Sequence, residues 1–267
     1  MDNKKIVSLE RAIELGCNHV SPLSLETRTL AELLNRVAVG DIHSTCQVPS
    51  FSRSKVDGFT LTEADLLRLR SGDCLELHVI NIIPAGWVGE VEFAAGQTIR
   101  IMTGAIIPLN TAAIVKQEDV RDRGDTISLT GWADFKQYID PPGSEIEAGE
   151  KITSNGQEID AAVIERLASA GETRVKVYSI PRVYIINGGD ELRLPGQTLQ
   201  KGQIYHSNRN FMLAKVQAAH CNGILGSGSV GDNLDCIINE IYIGIQKGDL
   251  LIISGGTAQG KYDLVAD

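Results

Sequence analysis

The segment from Pro181 onward most restricts what this chain can fold into. PRVYIIN reads as a strand, NRNFMLAKVQAAHC as a helix and GIL as a short strand; DNLDCIINEIYIGIQ reads as a helix and DLLIISGG as a strand. This β-α-β-α-β order is the grammar of a parallel sheet with helices on its faces. Such sheets bind ligands beyond the carboxyl ends of their strands. Three loops follow those ends: NGGDELRLPG from Asn187, GSGSVGDN from Gly226 and SGGTAQGKYD from Ser254.

The remainder has a different texture. SLERAIELG (8–16) predicts a short helix with Ser8 as N-cap and Gly16 as stop. SLETRTLAELLNRV predicts a second helix over about 24–37. Between Val48 and Trp132, short alternating runs such as CLELHVINII are separated by Gly, Pro and Asn turns, which predicts a mostly β module. Turn residues dominate 137–160, and DAAVIERLASAG predicts a helix capped by Asp160 and stopped at Gly171. A chain of 267 residues exceeds one ordinary core, so two or three domains are expected.

Charge and composition exclude several functions. The net charge is −9 with no basic block, which argues against a nucleic-acid partner. No apolar run reaches the roughly 18 residues of a membrane span, and no apolar leader marks the N-terminus for export. The five cysteines contain no CxxC pair, and the five histidines form neither HxxxH nor HExxH. A reducing cytoplasm fits that usage better than a thiol or histidine metal centre. An acidic protein can still bind an anion through backbone N–H groups and hold Mg²⁺ on carboxylates beside it.

The loops carry the candidate chemistry. GSGSVG matches GxGxxG, but a dinucleotide site needs an acid at the end of the next strand, and Asp249 opens that strand instead. Asp232 is placed to cap the following helix with Asp235 at N3, and from that edge it can also reach a ligand. In SGGT, Gly255 and Gly256 allow close backbone approach to a phosphate, while Ser254 and Thr257 add hydroxyls. Tyr262 rules out a Walker loop, and an ordinary strand-to-helix turn is the plainer alternative. Asp190 and Glu191 fit either a Mg²⁺ site facing a phosphate or a solvated acidic turn. In the β module, Thr103-Gly104 ends a strand of RIMTGAIIP with a hydroxyl and exposed backbone. Asp57-Gly58 in PSFSRSKVDGFTL also suits a hairpin turn.

Taken in order, four of these segments resemble the molybdopterin molybdotransferase family (molybdate insertases of MoeA type, including the gephyrin E domain). PSFSRSKVDGFTL is similar to the family's P-x-F-x-x-S-x-M-D-G-Y-A, and RIMTGAIIP to R-I-M-T-G-A-x-x-P. INGGDELRLPGQTLQKGQIYHSNR is similar to S-T-G-D-E-L-x-x-P-G-x-x-L-x-x-G-x-I-Y-D-S-N-R, and SGGTAQGKYDLV to S-G-G-x-S-x-G-x-x-D. The resemblance implies an α/β multidomain fold. An elongated α+β segment (1–45 with 137–178) carries an inserted mostly-β module (46–136), and a parallel-sheet molybdopterin-binding domain (179–267) follows. It implies Mg²⁺-dependent insertion of molybdate into adenylylated molybdopterin with release of AMP. It further implies a homodimer, with the site between the α/β domain of one subunit and the β module of the other, and a molybdopterin adenylyltransferase as a further partner.

Carried over by motif, the catalytic positions are Asp57, Thr103, Glu191, Asp232 and Asp263. Cofactor binding falls on Ser254, Gly255, Gly256, Thr257, Ser207 and Asn208, and metal binding on Asp190 and Glu191. Asn187 stands where the family usually has Thr before Gly-Asp-Glu, Gly188-Gly189 keeps only part of that pattern, His206 replaces an Asp, and Glu145 replaces the Asp of G-E-D-I. The family's K-P-G-K-P and L-P-G-N-P loops and its final β domain have no counterpart here, so a fragment or a short, non-catalytic version is expected. An unpaired edge at DLLIISGG, open to a partner chain or to local instability, is expected with it.

Overall fold

The computed structural model describes residues 7–130, 138–227 and 233–255. It divides into two compact units, one of residues 1–40, 156–160 and 174–267, the other of 41–155 and 161–173.

The first unit opens with α1 (Leu9–Asn18), started by Ser8, whose hydroxyl accepts the Arg11 N–H at 3.3 Å. The helix expected over 24–37 is absent. Leu25–Thr29 forms β1, Leu30–Glu32 a single 3₁₀ turn and Arg36–Val37 the short β2. The cause is long-range pairing. β1 runs antiparallel to β14 (Arg174–Tyr178), from Leu25 opposite Tyr178 to Thr29 opposite Arg174. β2 pairs with β13 (Glu158–Ile159). The buried Arg36 guanidinium then bonds the Glu26 carboxylate and, at 2.8 Å, the Tyr178 carbonyl. The partner strands β13 and β14 are more than a hundred residues away and override a locally helical pattern.

The second unit is built on a six-stranded sheet of β5 (Gly58–Leu61), β6 (Leu75–Ile83), β7 (Gln97–Ile101), β8 (Ala113–Lys116), β9 (Arg121–Asp122) and β10 (Thr126–Leu129). Their order across the sheet is β8-β5-β7-β6-β10-β9. All pairings are antiparallel except that of β6 with β7. Two short ladders join it: β3 (Ile42–His43) with β12 (Lys151–Thr153), and β4 (Arg53–Ser54) with β11 (Ile139–Asp140). The β module also contains a helix, α2 (Glu63–Arg70), capped by Thr62. Its Leu66 and Leu69 bury against Phe59, Leu61, Leu75, Leu77 and Ile127. α3 (Ala161–Ser169) buries Val163 and Leu167, and the chain turns at Gly171 with φ +82°.

The C-terminal half of the first unit is the parallel sheet expected from the sequence. β15 (Arg182–Asn187) lies centrally, flanked by β18 (Asn222–Leu225) and β19 (Leu250–Ser254), both parallel to it. α4 (Ser207–Ala218) and α5 (Leu234–Lys247) provide the crossovers, and a small parallel pair, β16 (Leu192–Arg193) with β17 (Ile204–Tyr205), precedes α4. Val183 and Ile185 pack with Met212, Leu213 and Val216 of α4; Tyr184 and Ile186 pack with Ile237 and Ile241 of α5. Both faces of β15 are therefore covered, which is why it reads as an unbroken apolar run. Among the described residues β19 has one strand neighbour, β15. No described helix is long and apolar enough to cross a membrane.

Candidate functional site

The strand order places the first strand between the second and third. The chain thus leaves β15 toward β18 and returns to its other side at β19, which makes β15/β19 the switch point where such sheets open a crevice. The loops after these two strands are tied together there. The Asn187 side-chain amide donates to the Ser254 hydroxyl at 2.7 Å, and the Gly188 N–H donates to the Ser254 carbonyl at 2.8 Å. Gly255 has φ +88°, and a Cβ on it would stand 2.3 Å from the Gly188 carbonyl oxygen. Only glycine lets the two backbones approach this closely.

Glu191 follows on the same edge. Its carboxylate lies over Gly189, where a Cβ would come within 2.8 Å of Oε2, so that glycine gives the acid its place. Asp190 and Glu191 are both exposed. No group of three or more ligating side chains occurs among the described residues. Two exposed carboxylates still fit Mg²⁺, which is commonly held by one or two acids together with substrate phosphates.

Ser207 and Asn208 are exposed in the first turn of α4, which runs antiparallel to β15 and so directs its N-terminal N–H groups toward the carboxyl edge. His206 caps this helix: its Nδ1 accepts the Arg209 N–H at 3.4 Å. Its side chain is buried and its Nε2 has no partner among the described residues. Burial, reinforced by the Arg209 charge and opposed by Glu191, holds the imidazole below its ordinary pKa. His206 is thus a neutral cap rather than the fixed negative charge its family counterpart would supply.

Asp232, Gly256, Thr257 and Asp263 lie outside the described residues. The cap of α5, assigned to Asp232 from the sequence, belongs to Asn233. Its side-chain oxygen accepts the Asp235 and Cys236 N–H groups at 2.9 and 3.2 Å. A cap needs its oxygen within reach of N2 and N3, and Asn233, next to the first helical residue, satisfies that directly.

Asp57 and Thr103 belong to the other unit and meet closely. Both the backbone N–H and the hydroxyl of Thr103 donate to Asp57 Oδ1, each at 2.8 Å. These bonds stabilise the carboxylate and lower its pKa. Asp57-Gly58 is not a hairpin turn. Gly58 begins β5, and a Cβ there would sit 2.1 Å from the Val115 carbonyl oxygen of β8. The glycine is required by close strand pairing. A cavity of about 750 Å³ beside Thr103 is lined by Arg53, Lys55, Asp140 and Glu145. Arg53 pairs with both acids, and Lys55 with Asp140 at 2.8 Å.

The sequence reading missed Glu240. It occupies the buried face of α5 with Ile237 and Gly244, and it is bonded to Tyr184 and Ser227. An acid at an otherwise apolar helical spacing was the signal that could have found it.

Comparison with known proteins agrees with this geometry. Residues 7–171 match the model of the MoeA N-terminal region (domain I and II), and residues 184–267 match that of a probable molybdopterin binding domain. The molybdopterin molybdenumtransferase of Haemophilus influenzae is 33% identical over 91% of this chain and 59% of its own length. That of Staphylococcus aureus (strain Mu50) is 29% identical over the whole chain and 64% of its own length. A crystal structure of the molybdopterin biosynthesis MoeA protein from Pyrococcus horikosii superposes with a TM-score of 0.75 at 29% identity, covering 98% of this chain and 66% of that one. The chain therefore spans about three-fifths of the length of the curated relatives it matches. With both family models matched in succession and the parallel sheet closed at its switch point, the chain belongs to the MoeA family.

Proposed function

We propose that this chain acts in molybdenum cofactor biosynthesis, binding adenylylated molybdopterin at the carboxyl edge of the parallel sheet and supporting molybdate insertion with release of AMP. The observation that carries the reading is the closure of the β15 and β19 loops through Asn187, Gly188, Ser254 and Gly255. It forms a backbone-lined edge suited to a phosphate.

In this reading Ser254 and Gly255, with Gly256 and Thr257, bind the phosphate of the pterin, and Ser207 and Asn208 bind at the N-terminus of α4. Asp190 and Glu191 would hold Mg²⁺, which supplies charge neutralisation for the pyrophosphate. Glu191, Asp232 and Asp263 are the acids of this unit assigned to the reaction. Asp57, kept ionised by Thr103, is the acid assigned from the other unit. A homodimer, a partner molybdopterin adenylyltransferase that supplies the substrate, a cytoplasmic setting and the domain limits 1–45 with 137–178, 46–136 and 179–267 complete the proposal.

The test is AMP release from adenylylated molybdopterin with Mg²⁺, in the presence and absence of molybdate. Molybdate-dependent release is expected. Binding without release would make the chain a molybdopterin-binding homologue, and failure to bind would overturn the reading.

A further inference from the structure

Glu240 is an acid in a place that usually holds an apolar side chain. It lies on the inner face of α5, only 3% exposed, where an ionised carboxylate is costly unless it is well hydrogen-bonded. Here three hydrogen bonds reach it. Oε1 accepts the Tyr184 hydroxyl at 2.8 Å and the Ser227 backbone N–H at 2.8 Å; Oε2 accepts the Ser227 hydroxyl at 2.6 Å. These bonds offset the desolvation and hold the carboxyl below its ordinary pKa. One side chain of α5 thereby joins the central strand to the residue that leaves β18.

Three glycines make room for this arrangement. A Cβ on Gly226 would stand 2.5 Å from Glu240 Oε1 and 3.1 Å from the Ile185 carbonyl oxygen. One on Gly244 would stand 2.9 Å from the Tyr184 ring, and one on Gly248 would stand 3.0 Å from Tyr184 Cβ. A side chain at any of the three would press on Tyr184 or Glu240, so glycine there lets α5 and the exit of β18 close over Tyr184 without displacement. A buried apolar pair would fill the same space without the desolvation cost, so the carboxylate needs another reason. Its reason is directional. Charge-assisted bonds to both the N–H and the hydroxyl of Ser227 set that residue's orientation, which packing alone does not do.

We propose that Glu240 is a positioning residue that fixes Ser227, and with it the exit of β18, at the carboxyl edge of the sheet for a phosphate-bearing ligand. The proposal rests on the functional reading above. Ser227 itself is exposed, with both its N–H and its hydroxyl proton engaged by Glu240, so Glu240 acts by placing this stretch of backbone.

The test compares Glu240→Gln, Ser227→Ala and Tyr184→Phe in the full chain by three measurements: thermal midpoint, hydrogen exchange of the Ser227 amide, and affinity for adenylylated molybdopterin. Glu240→Gln is expected to speed that exchange and weaken binding, each on the order of tenfold. Tyr184→Phe leaves both Ser227 bonds in place, so its binding is expected to stay within about twofold whatever happens to its midpoint. Ser227→Ala removes one of the two bonds and is expected to lie between them; it keeps the test decisive if Glu240→Gln does not fold. Unchanged Ser227 exchange in Glu240→Gln overturns the proposal; if that variant does not fold, unchanged affinity in Ser227→Ala, which keeps the amide bond and loses the hydroxyl bond, overturns it instead. Loss of affinity that follows the midpoint equally in all variants also overturns it, leaving a structural brace. A wild-type chain that fails to bind overturns the functional reading and the ligand role together, and the exchange measurement identifies that case because the clamp is seen without ligand.

Discussion

The side-chain amide of Asn187 donates to the hydroxyl of Ser254 at 2.7 Å, joining the last residues of two parallel strands that are 67 positions apart. Asn187 is buried, and its Oδ1 has no partner among the described residues. Asn187→Ala is therefore expected to cost about 1 kcal/mol, the net value of one hydrogen bond, since it also removes an unpaired buried acceptor. Urea unfolding measures this. A loss above about 3 kcal/mol would mean that Oδ1 is bonded after all, as by an ordered water.

Gly255→Ala adds a methyl group 2.3 Å from the Gly188 carbonyl oxygen at a φ of +88°. The strand ends must then separate, and a cost of roughly 2 kcal/mol or more is expected from strain and lost contact. Molybdopterin binding should fall further than stability does, because the displaced backbone is the proposed phosphate contact. Calorimetric titration beside a thermal melt separates the two. Wild-type affinity in a variant of lowered midpoint would remove this loop from the site.

Asp57 gives a prediction with a definite pH direction. Its folded pKa lies below the ordinary 3.8 because Thr103 donates to the charged form. The unfolded carboxyl takes up a proton first as pH falls. The stabilisation is therefore complete above about pH 4 and is lost as pH drops through the folded value. Asp57→Asn should lower the unfolding midpoint at neutral pH and approach wild type in acid. A constant difference across that range would show that the Asp57–Thr103 contact carries no charge-dependent stability.

Tyr184 is the corresponding case at alkaline pH. Burial, followed by its bond to Glu240, raises its pKa from 10.0 to about 12. Stability linked to it is fully present below pH 10 and declines as pH rises through the folded value. Phenolate absorbance should show one of the six tyrosines titrating near pH 12, and Tyr184→Phe should abolish that step. Loss of the same step in Glu240→Gln without a change in midpoint would assign the shift to the hydrogen bond rather than to burial.

The sequence by itself determined the parallel sheet. β15, α4, β18, α5 and β19 all follow from local periodicity, because covered strands and amphipathic crossovers each print their own spacing. It also marked which strand ends carry candidate ligand residues, since Glu191 and Gly255 stand in the loops directly after recognisable strands. The tertiary structure alone decided the rest. Residues 25–29 became a strand because Arg174–Tyr178 lies alongside them, and the helix cap fell to Asn233 rather than Asp232. The joining of Asn187 to Ser254, of Asp57 to Thr103 and of Glu240 to Tyr184 and Ser227 has the same origin. Periodicity reports which face of an element is buried, but hydrogen bonds depend on which distant group arrives at that face, and only the folded chain brings the two together.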